Sequence, residues 1–413
     1  MGIKELTRFI EPCGILMTYD EYAEKYVVVD ILQVIYKHCV RNNCWHENEF
    51  NQPIQSIINC INKLMKYNIT PIFIFDGVSI QMKVKNKVKN DVHPSYSQTR
   101  SCEYPREKKK KFRITPQQIR VCERFIYNLG YPCLRAPHEA DSQCAAMTTC
   151  VFNGISGNKK IVIDSVITDD TDTLVFGAKK IIRMLQMDMM NMIRNAFDMF
   201  VRNNKNNNCT DKFSIRKIFE MNNMCEIFEK HILNKINTDI EYDLNTIRKI
   251  SNMRSITFAV RYDLDKVLEY LNQKTTIIRT QKKINNNRVF SMDNFVDMCI
   301  LFGTDYQNRL GNMNVNDIFN KFVLSECELD AYINNIKKDV VISEEYIKNM
   351  KKIRNYYVDA TVYEPETIDI TIYKPNEKEM KDLLLQCEFN PSYINSIVNM
   401  YGRNFFNLFR KFN

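Results

Sequence analysis

The feature that most constrains the fold is a series of short, continuously apolar runs, most of which end in a polar residue. Continuous rather than alternating apolar character is typical of strands buried on both faces, as in a parallel sheet. Helix-length segments with apolar residues three and four apart lie between the runs, at Gln52–Tyr67 and Thr115–Leu129. Strands that alternate with helices predict an α/β domain with a doubly wound sheet. The five runs are Tyr26–Asp30, Pro71–Gly77, Tyr131–Arg135, Ser165–Thr168 and Lys180–Arg183.

Two long segments interrupt this alternation of strands and helices. Residues 80–113 are strongly basic and lack an apolar face, which indicates an excursion from the sheet. Residues 186–290 contain the Asn-rich stretches 203–208 and 282–287, which predict loops inside a mostly helical insertion. The chain is therefore divided into an N-terminal region at 1–185, the insertion at 186–290, an internal helical region at 291–400 and a tail at 401–413.

Cysteine use and apolar run lengths exclude several classes of protein. Only 14 of the 413 residues are Cys, no CxxC pair occurs, and the five His form no zinc-type spacing with Cys. We therefore expect free thiols in a reducing, intracellular compartment and no structural zinc. No apolar run reaches the length of a membrane span and no signal-peptide pattern occurs, so we expect no membrane association.

Carboxylates follow the ends of several predicted elements. In an open parallel sheet ligands bind beyond the carboxyl ends of the strands, so Asp30 and Asp76 should face one crevice. Each acid alone is better explained as a turn or helix-cap residue. Together they would repel one another unless cations neutralised them, and hard oxygen ligands select Mg²⁺ or Mn²⁺. The other acids in such positions are Glu139, Asp141, Asp170, Asp172 and Asp305.

Six ordered motifs together resemble those of the flap endonuclease family of structure-specific 5′ nucleases. They cover about residues 1–185 and 291–400. The resemblance implies a twisted, mainly parallel sheet flanked by helices, with a basic helical arch at about 80–113 and a helix–two-turn–helix DNA-binding element. The motifs are Met1–Ile3, Val27–Asp30, Ile74–Gly77, Ala136–Ala146, Thr168–Gly177 and Cys299–Tyr306.

The resemblance also implies a role for each matched acid. Seven of them would hold two Mg²⁺ or Mn²⁺ ions, with the first four around one ion, the last three around the other, and Asp141 near both. Two such ions clamp a phosphodiester and activate water for in-line attack, and this chemistry needs neither His nor Cys. The seven acids are Asp30, Asp76, Glu139, Asp141, Asp170, Asp172 and Asp305.

The residues that would contact DNA follow from the same resemblance. Lys83 falls where the family has a basic residue at the scissile phosphate, and a lysine there would stabilise developing charge in catalysis. Tyr36 matches an aromatic residue that stacks on the terminal base, although packing within its helix would also explain it. Asn90 stands where the family has a second basic residue in the arch, and the nearby Lys87 and Lys89 could take over the role of that residue. Further contacts would come from Gly2, Arg183, Gly311 and Asn312.

The chain departs from the family pattern in several places. Asp141 stands where a Glu is usual, which shortens that ligand by one methylene group. The family's Gly-x-Gly hairpin after Asp305 keeps only Gly311 within Leu310–Met313, which weakens the expectation of a K⁺ ion at that turn. The chain ends without the peptide that tethers relatives to a sliding clamp, so that partner is not supported.

The sequence therefore predicts a structure-specific 5′ nuclease that hydrolyses DNA phosphodiester bonds near junctions between single and double strands by a two-metal-ion mechanism. Two alternatives stay open. One is a 5′–3′ exonuclease or a bubble or junction endonuclease of the same superfamily, and the other is a non-catalytic nucleic-acid-binding protein. We expect a monomer that acts on branched or flapped DNA in replication, repair or recombination, in the nucleus or a viral DNA replication compartment.

Overall fold

The chain folds around one sheet of eight strands. The computed structural model describes residues 2–42, 49–79, 113–153, 160–188, 213–214, 241–242, 257–284, 288–311, 313–338 and 341–412. In chain order the described strands are β1 (Ile15–Thr18), β2 (Tyr26–Asp30), β3 (Thr70–Phe75), β4 (Cys133–Arg135), β5 (Val151–Asn153), β6 (Lys160–Ile167), β7 (Lys180–Asp188), β8 (Phe213–Ser214), β9 (Glu241–Tyr242) and β10 (Thr257–Asp263). Of these, β8 and β9 are two further strands that form a separate pair.

The middle of this sheet is parallel, as the continuous apolar runs predict. The strand order is β1-β10-β7-β6-β2-β3-β4, with β5 attached antiparallel to β6. The pairs from β7 to β4 are all parallel, whereas β10 pairs antiparallel with both β7 and β1. Every residue of β3 is buried, which is the burial expected of a strand covered on both faces. The mainly parallel α/β fold is therefore confirmed.

Helices cover both faces of the sheet. They are α1 (Leu6–Phe9), α2 (Ile31–Arg41), α3 (Asn51–Lys66), α4 (Pro116–Asn128), α5 (Ala140–Thr149), α6 (Asp172–Val175), α7 (Leu264–Gln281), α8 (Met292–Phe302), α9 (Val315–Leu324), α10 (Leu329–Ile336), α11 (Glu344–Val358), α12 (Glu377–Gln386) and α13 (Pro391–Phe412). No helix of these described ranges is long and apolar enough to cross a lipid bilayer.

Alternate residues of the central strands divide the core into two layers. Val28 and Ile72 pack in one cluster with side chains of α5 and α8, while Val29 and Phe73 pack in the other with side chains of α2, α3 and α4. This division follows from the alternation of side chains across a strand. The sheet is therefore the middle of three layers, and only its strand ends are open to ligands.

Local capping signals explain where two of the helices begin. Thr115 caps α4, its hydroxyl oxygen accepting a hydrogen bond from the backbone N–H of Gln118 at 3.2 Å, and Pro116 occupies the first turn. Ser291 caps α8 in the same way, with Asn294 completing a capping box. The predicted helix Gln52–Tyr67 corresponds to α3, and the predicted helix Thr115–Leu129 corresponds to α4. Each predicted end lies within one residue of the observed end.

The sheet also contains strands that the sequence did not predict. β1, β5 and β10 are additional, and β10 lies inside the predicted insertion at 186–290 yet pairs with β7 and β1 of the main sheet. The same predicted insertion contributes α7 and the two-stranded pair β8–β9, which is separate from that sheet. Within that predicted insertion, residues 189–212, 215–240, 243–256 and 285–287 lie outside the described residues, as does the predicted basic arch except residue 113. The division into domains stays a prediction.

Candidate active site

The carboxyl ends of the central strands open onto a cavity of about 590 Å³. β2 ends in Asp30, β3 is followed by Asp76, and β6 leads into Asp170. The structure thus brings together the carboxylates that the strand-end argument placed in one crevice. All seven predicted acids line this cavity: Asp30, Asp76, Glu139, Asp141, Asp170, Asp172 and Asp305.

Hydrogen bonds connect the acids of one element to donors on a neighbouring element. One oxygen of Asp76, which follows β3, accepts from the backbone N–H of Ala140 at 2.7 Å, where α5 begins. Glu139 occupies the N-cap position of that helix without a capping hydrogen bond from its side chain, and Asp141 lies in the first turn. The carboxylate of Asp141 in turn accepts from the hydroxyl of Thr173 in α6 at 2.6 Å. These contacts link three elements at the cavity.

The N-terminal backbone completes the other side of the acid cluster. The backbone N–H of Ile3 donates to Asp172 at 2.7 Å, and the N–H of Asp172 donates to Asp170 at 3.2 Å. Gly2 has a φ of +86°, and a Cβ there would overlap the carboxylate of Asp170. Only glycine allows the backbone to approach this closely with that φ. Gly2 therefore lies beside the acid cluster, and its predicted contact with DNA stays a prediction.

Burial and mutual repulsion disfavour the charged forms of these acids. Burial raises the pKa of Asp30 well above its usual value, and the charges of Asp76 and Asp170 raise it further. Burial likewise raises the pKa of Asp141 and Asp172, with added repulsion from Asp170 in both cases. A cluster with this electrostatic cost attracts cations, because a positive charge among the carboxylates removes the repulsion.

The donor chemistry of these acids fits hard divalent cations. In the described ranges, no group of three or more His, Cys, Asp or Glu side chains is arranged so that it could hold a metal ion. Protein donors instead hold Asp76, Asp141 and Asp172 through individual carboxylate oxygens. The oxygen-rich set and its mutual repulsion are what Mg²⁺ or Mn²⁺ sites require.

The predicted DNA-contacting residues fall into three groups. Tyr36 lines the cavity and is 42% exposed. Arg183 on β7 and Gly311 in the turn between α8 and α9 are described residues that are absent from the cavity lining. Lys83, Lys87, Lys89 and Asn312 lie outside the described residues, so their predicted contacts stay predictions.

Several polar residues that line the cavity were not predicted as site residues, among them Gln33, Lys37, Arg113, Asp169 and Tyr306. Gln33 accepts hydrogen bonds from the hydroxyl of Thr168 at 3.1 Å and from the backbone of Asp169 at 2.8 Å. Lys37 forms an ion pair with Asp169, and Arg113 contributes to the lining. The spacing of Gln33, Tyr36 and Lys37 would have placed all three on one face of the helix that starts beyond Asp30.

The sequence matches known protein families over its N-terminal half. Residues 1–95 match the XPG N-terminal domain, and residues 130–237 match the XPG I-region. Flap endonuclease 1-B of Oryza sativa is 26% identical over 207 residues, which cover 45% of this chain and 47% of that protein. Flap endonuclease 1 of Plasmodium falciparum is 22% identical over 421 residues, which cover 97% of this chain and 52% of that protein. The chain spans about half the length of these curated relatives.

Solved structures share the fold at low sequence identity. The catalytic core of Rad2 in complex with DNA substrate has a TM-score of 0.57 at 15% identity, with 97% of this chain and 100% of that chain covered. Flap endonuclease-1 from Methanococcus jannaschii has a TM-score of 0.53 at 16% identity, with 95% and 96% covered. Human GEN1 in complex with Holliday junction DNA has a TM-score of 0.55 at 13% identity, with 98% and 78% covered.

Proposed function

We propose that this chain, which belongs to the flap endonuclease/XPG family of nucleases, is a structure-specific 5′ nuclease that cleaves DNA near junctions between single and double strands. The observation that carries the proposal is the convergence of seven carboxylates on one cavity at the strand ends. The proposed setting is DNA replication, repair or recombination, in the nucleus or a viral replication compartment, with the protein acting as a monomer.

The seven acids would hold two divalent cations, Mg²⁺ or Mn²⁺. When bound, such ions supply Lewis-acid stabilisation of the phosphodiester and an acidified water molecule. The oxygen ligands would come from the end of β2, the residue after β3, the start of α5, the segment from the end of β6 to the start of α6, and the residues after α8. Gly2 allows the N-terminal backbone to lie against Asp170 and Asp172, where the Ile3 N–H orients the second of these carboxylates.

The substrate would be held mainly through its phosphates, which makes binding dependent on salt. In the proposed mode the basic segment 80–113 guides a free 5′ single strand past the cavity as an electrostatic funnel. Lys83 would stabilise charge that develops at the scissile phosphate. Tyr36, exposed at the cavity, would form the platform for the unstacked terminal base.

Cleavage of end-labelled flap, nicked-duplex, bubble and four-way-junction DNA tests the proposed substrate. In Mg²⁺ we expect the flap to be cleaved best, and in EDTA we expect no cleavage because the acids then lack their cations. If the flap is the poorest of the four substrates, the exonuclease or junction-endonuclease alternative replaces the proposal. Tight DNA binding with no cleavage of any substrate would instead favour the non-catalytic alternative.

Replacing Tyr36 with Ala should lower kcat/KM on a flap substrate about tenfold. Stacking of a base on an aromatic ring contributes about 1–3 kcal/mol, and the alanine variant loses that platform. Tyr36→Phe keeps the ring and should retain near-normal activity. Since the side chain is 42% exposed, both variants should unfold at the temperature of the unaltered protein. Equal activity of the Ala and Phe variants would contradict a stacking role.

A further inference from the structure

Two buried tyrosine hydroxyls donate hydrogen bonds to carboxylates of the acid cluster. The hydroxyl of Tyr306 donates to Oε2 of Glu139, and the hydroxyl of Tyr357 donates to Oδ2 of Asp172 at 3.2 Å. Tyr306 is 6% exposed and Tyr357 is 3% exposed, so water does not compete freely for either contact. Both acids belong to the proposed metal-ligand set, but they fall in different halves of it.

The two rings are held in an aromatic cluster formed by Phe176, Tyr306, Tyr356 and Tyr357. The ring centroids of Phe176 and Tyr357 lie 4.9 Å apart, and those of Tyr306 and Tyr357 lie 6.0 Å apart. The ring of Tyr356 lies edge-to-face against those of Phe176 and Tyr306, with centroid separations of 5.3 and 5.5 Å. Such packing leaves the rings little rotational freedom, so each hydroxyl presents one fixed donor direction.

The helix that carries Tyr357 is itself fixed to the helix before Asp305. Arg354 of α11 donates to Asp297 of α8 at 2.7 Å and to Asp293 of α8 at 2.9 Å. The Asp297 carboxylate is largely buried, which strengthens this pair relative to one in water. α8 and α11 therefore form one unit that holds both tyrosines against the cavity.

A neutral donor suits a carboxylate that must still bind a cation. A tyrosine hydroxyl is protonated at neutral pH, so both hydroxyls can donate. Unlike a Lys or Arg side chain, a hydroxyl orients a carboxylate without neutralising its charge, so the carboxylate remains a strong cation ligand. This holds for Asp172 as well, although its Oδ1 accepts from the backbone N–H of Ile3 and its Oδ2 from Tyr357, because each carboxylate oxygen has a further lone pair.

We propose that Tyr306 and Tyr357 are positioning residues, each of which orients one carboxylate for a different divalent cation. Tyr306 acts through Glu139, whose partners at the first ion are Asp30, Asp76 and Asp141. Tyr357 acts through Asp172, whose partners at the second ion are Asp170 and Asp305. This inference rests on the proposed function, since it assumes that the acid cluster binds two cations.

Loss of one hydroxyl should weaken one binding step and leave the other largely unchanged. Mutation of such outer partners of metal ligands typically lowers metal affinity about 10–100-fold. We expect Tyr306→Phe and Tyr357→Phe each to weaken a different one of the two steps by about that factor. The double variant should weaken both steps.

Isothermal titration of the metal-free protein with Mn²⁺ measures these steps without any need for cleavage. Tyr356→Phe is the matched control, because Tyr356 shares the aromatic cluster but, among the described residues, its hydroxyl donates no hydrogen bond to a carboxylate of the acid cluster. Its titration should match that of the unaltered protein. Thermal unfolding of each metal-free variant reports on folding separately. In cleavage assays, the Mg²⁺ concentration at half-maximal rate should rise while the rate at saturating Mg²⁺ is kept.

The outcomes separate this inference from the proposed function. If the unaltered protein binds no Mn²⁺, the two-cation proposal fails and the positioning roles fail with it. If it binds two ions and both Tyr→Phe variants bind them equally well, only the positioning inference is overturned. Equal weakening in all three variants, including Tyr356→Phe, would show that the cluster matters for packing alone, which also overturns it.

Discussion

Replacing Asp170 with Ala should reduce DNA cleavage at least about 10³-fold while DNA binding stays nearly unchanged. Asp170 lies among the cavity acids, and its charge raises the pKa of Asp30, Asp141 and Asp172. Without Asp170, a cation bound at this point would lack one of its carboxylate ligands. The reaction would then lose much of the stabilisation that the cation gives to negative charge in the transition state. Phosphate contacts elsewhere hold the DNA, so affinity should persist.

Single-turnover cleavage of a flap substrate in Mg²⁺ measures the first effect, and fluorescence anisotropy in Ca²⁺ measures binding. Asp169→Ala is the matched control, because it removes the adjacent cavity carboxylate, which is paired with Lys37 and is not a proposed ligand. We expect this control to keep activity within about tenfold of the unaltered protein. Retained cleavage by the Asp170→Ala protein would contradict the proposal that these acids hold two catalytic metal ions.

Folding provides a second check on the Asp170 variant. Since burial raises the pKa of Asp170 and it repels its neighbours, its removal relieves an electrostatic cost in the metal-free state. The melting temperature of the metal-free variant should therefore be unchanged or higher. A lower melting temperature would mean that lost activity reflects misfolding rather than a missing ligand.

Replacing Gly77 with Ala should destabilise the fold by about 3 kcal/mol and lower activity about 100-fold. The Gly77 N–H donates to the carbonyl of His138 at 2.6 Å, so the backbone after β3 lies directly against the segment before Glu139. A Cβ at position 77 would overlap the carbonyl oxygen of Ala136 and lie 2.7 Å from that of Pro137. Backbone atoms cannot move aside as a flexible side chain can, so the segment that carries Glu139 must shift.

Denaturant unfolding and flap cleavage test this expectation together. Gly402→Ala is the control, because Gly402 lies within α13 and, among the described side chains, a Cβ there would meet the end of Glu377 alone, at 3.2 Å. The same substitution should there leave activity unchanged and stabilise the protein by up to about 1 kcal/mol. If the two variants have the same free energy of unfolding, the close backbone contact at Gly77 does not exclude a side chain there, and the prediction is wrong.

The central strands were predictable because their signal is local. β2 and β3 lie at the apolar runs around Val27–Val29 and Ile72–Phe75, since strands covered on both faces need a continuous apolar stretch. β10 gave no comparable signal. Its place in the sheet is decided by antiparallel pairing with residues far away in the chain, such as Ile15 opposite Arg261. A pairing over that separation leaves no period in the sequence.

The convergence of the acids could also be expected from the sequence, but their partners could not. Parallel topology places the ends of β2 and β3 at one edge, so Asp30 and Asp76 had to lie near each other. By contrast, the donor to Asp172 is a tyrosine 185 residues away, and the donor to Glu139 is 167 residues away. Which hydroxyl reaches which carboxylate depends on how α8 and α11 pack on the sheet.

The amino-acid sequence by itself determined the kind of fold and the kind of chemistry. Apolar runs, helical spacing and acids at strand ends are local patterns, and burial selects for them one element at a time. Only the tertiary structure decided the environment of those acids: their burial, the repulsion that shifts their pKa values, and the tyrosine hydroxyls that orient two of them. These properties depend on distances between side chains from separate elements, and those distances exist only after the elements have packed.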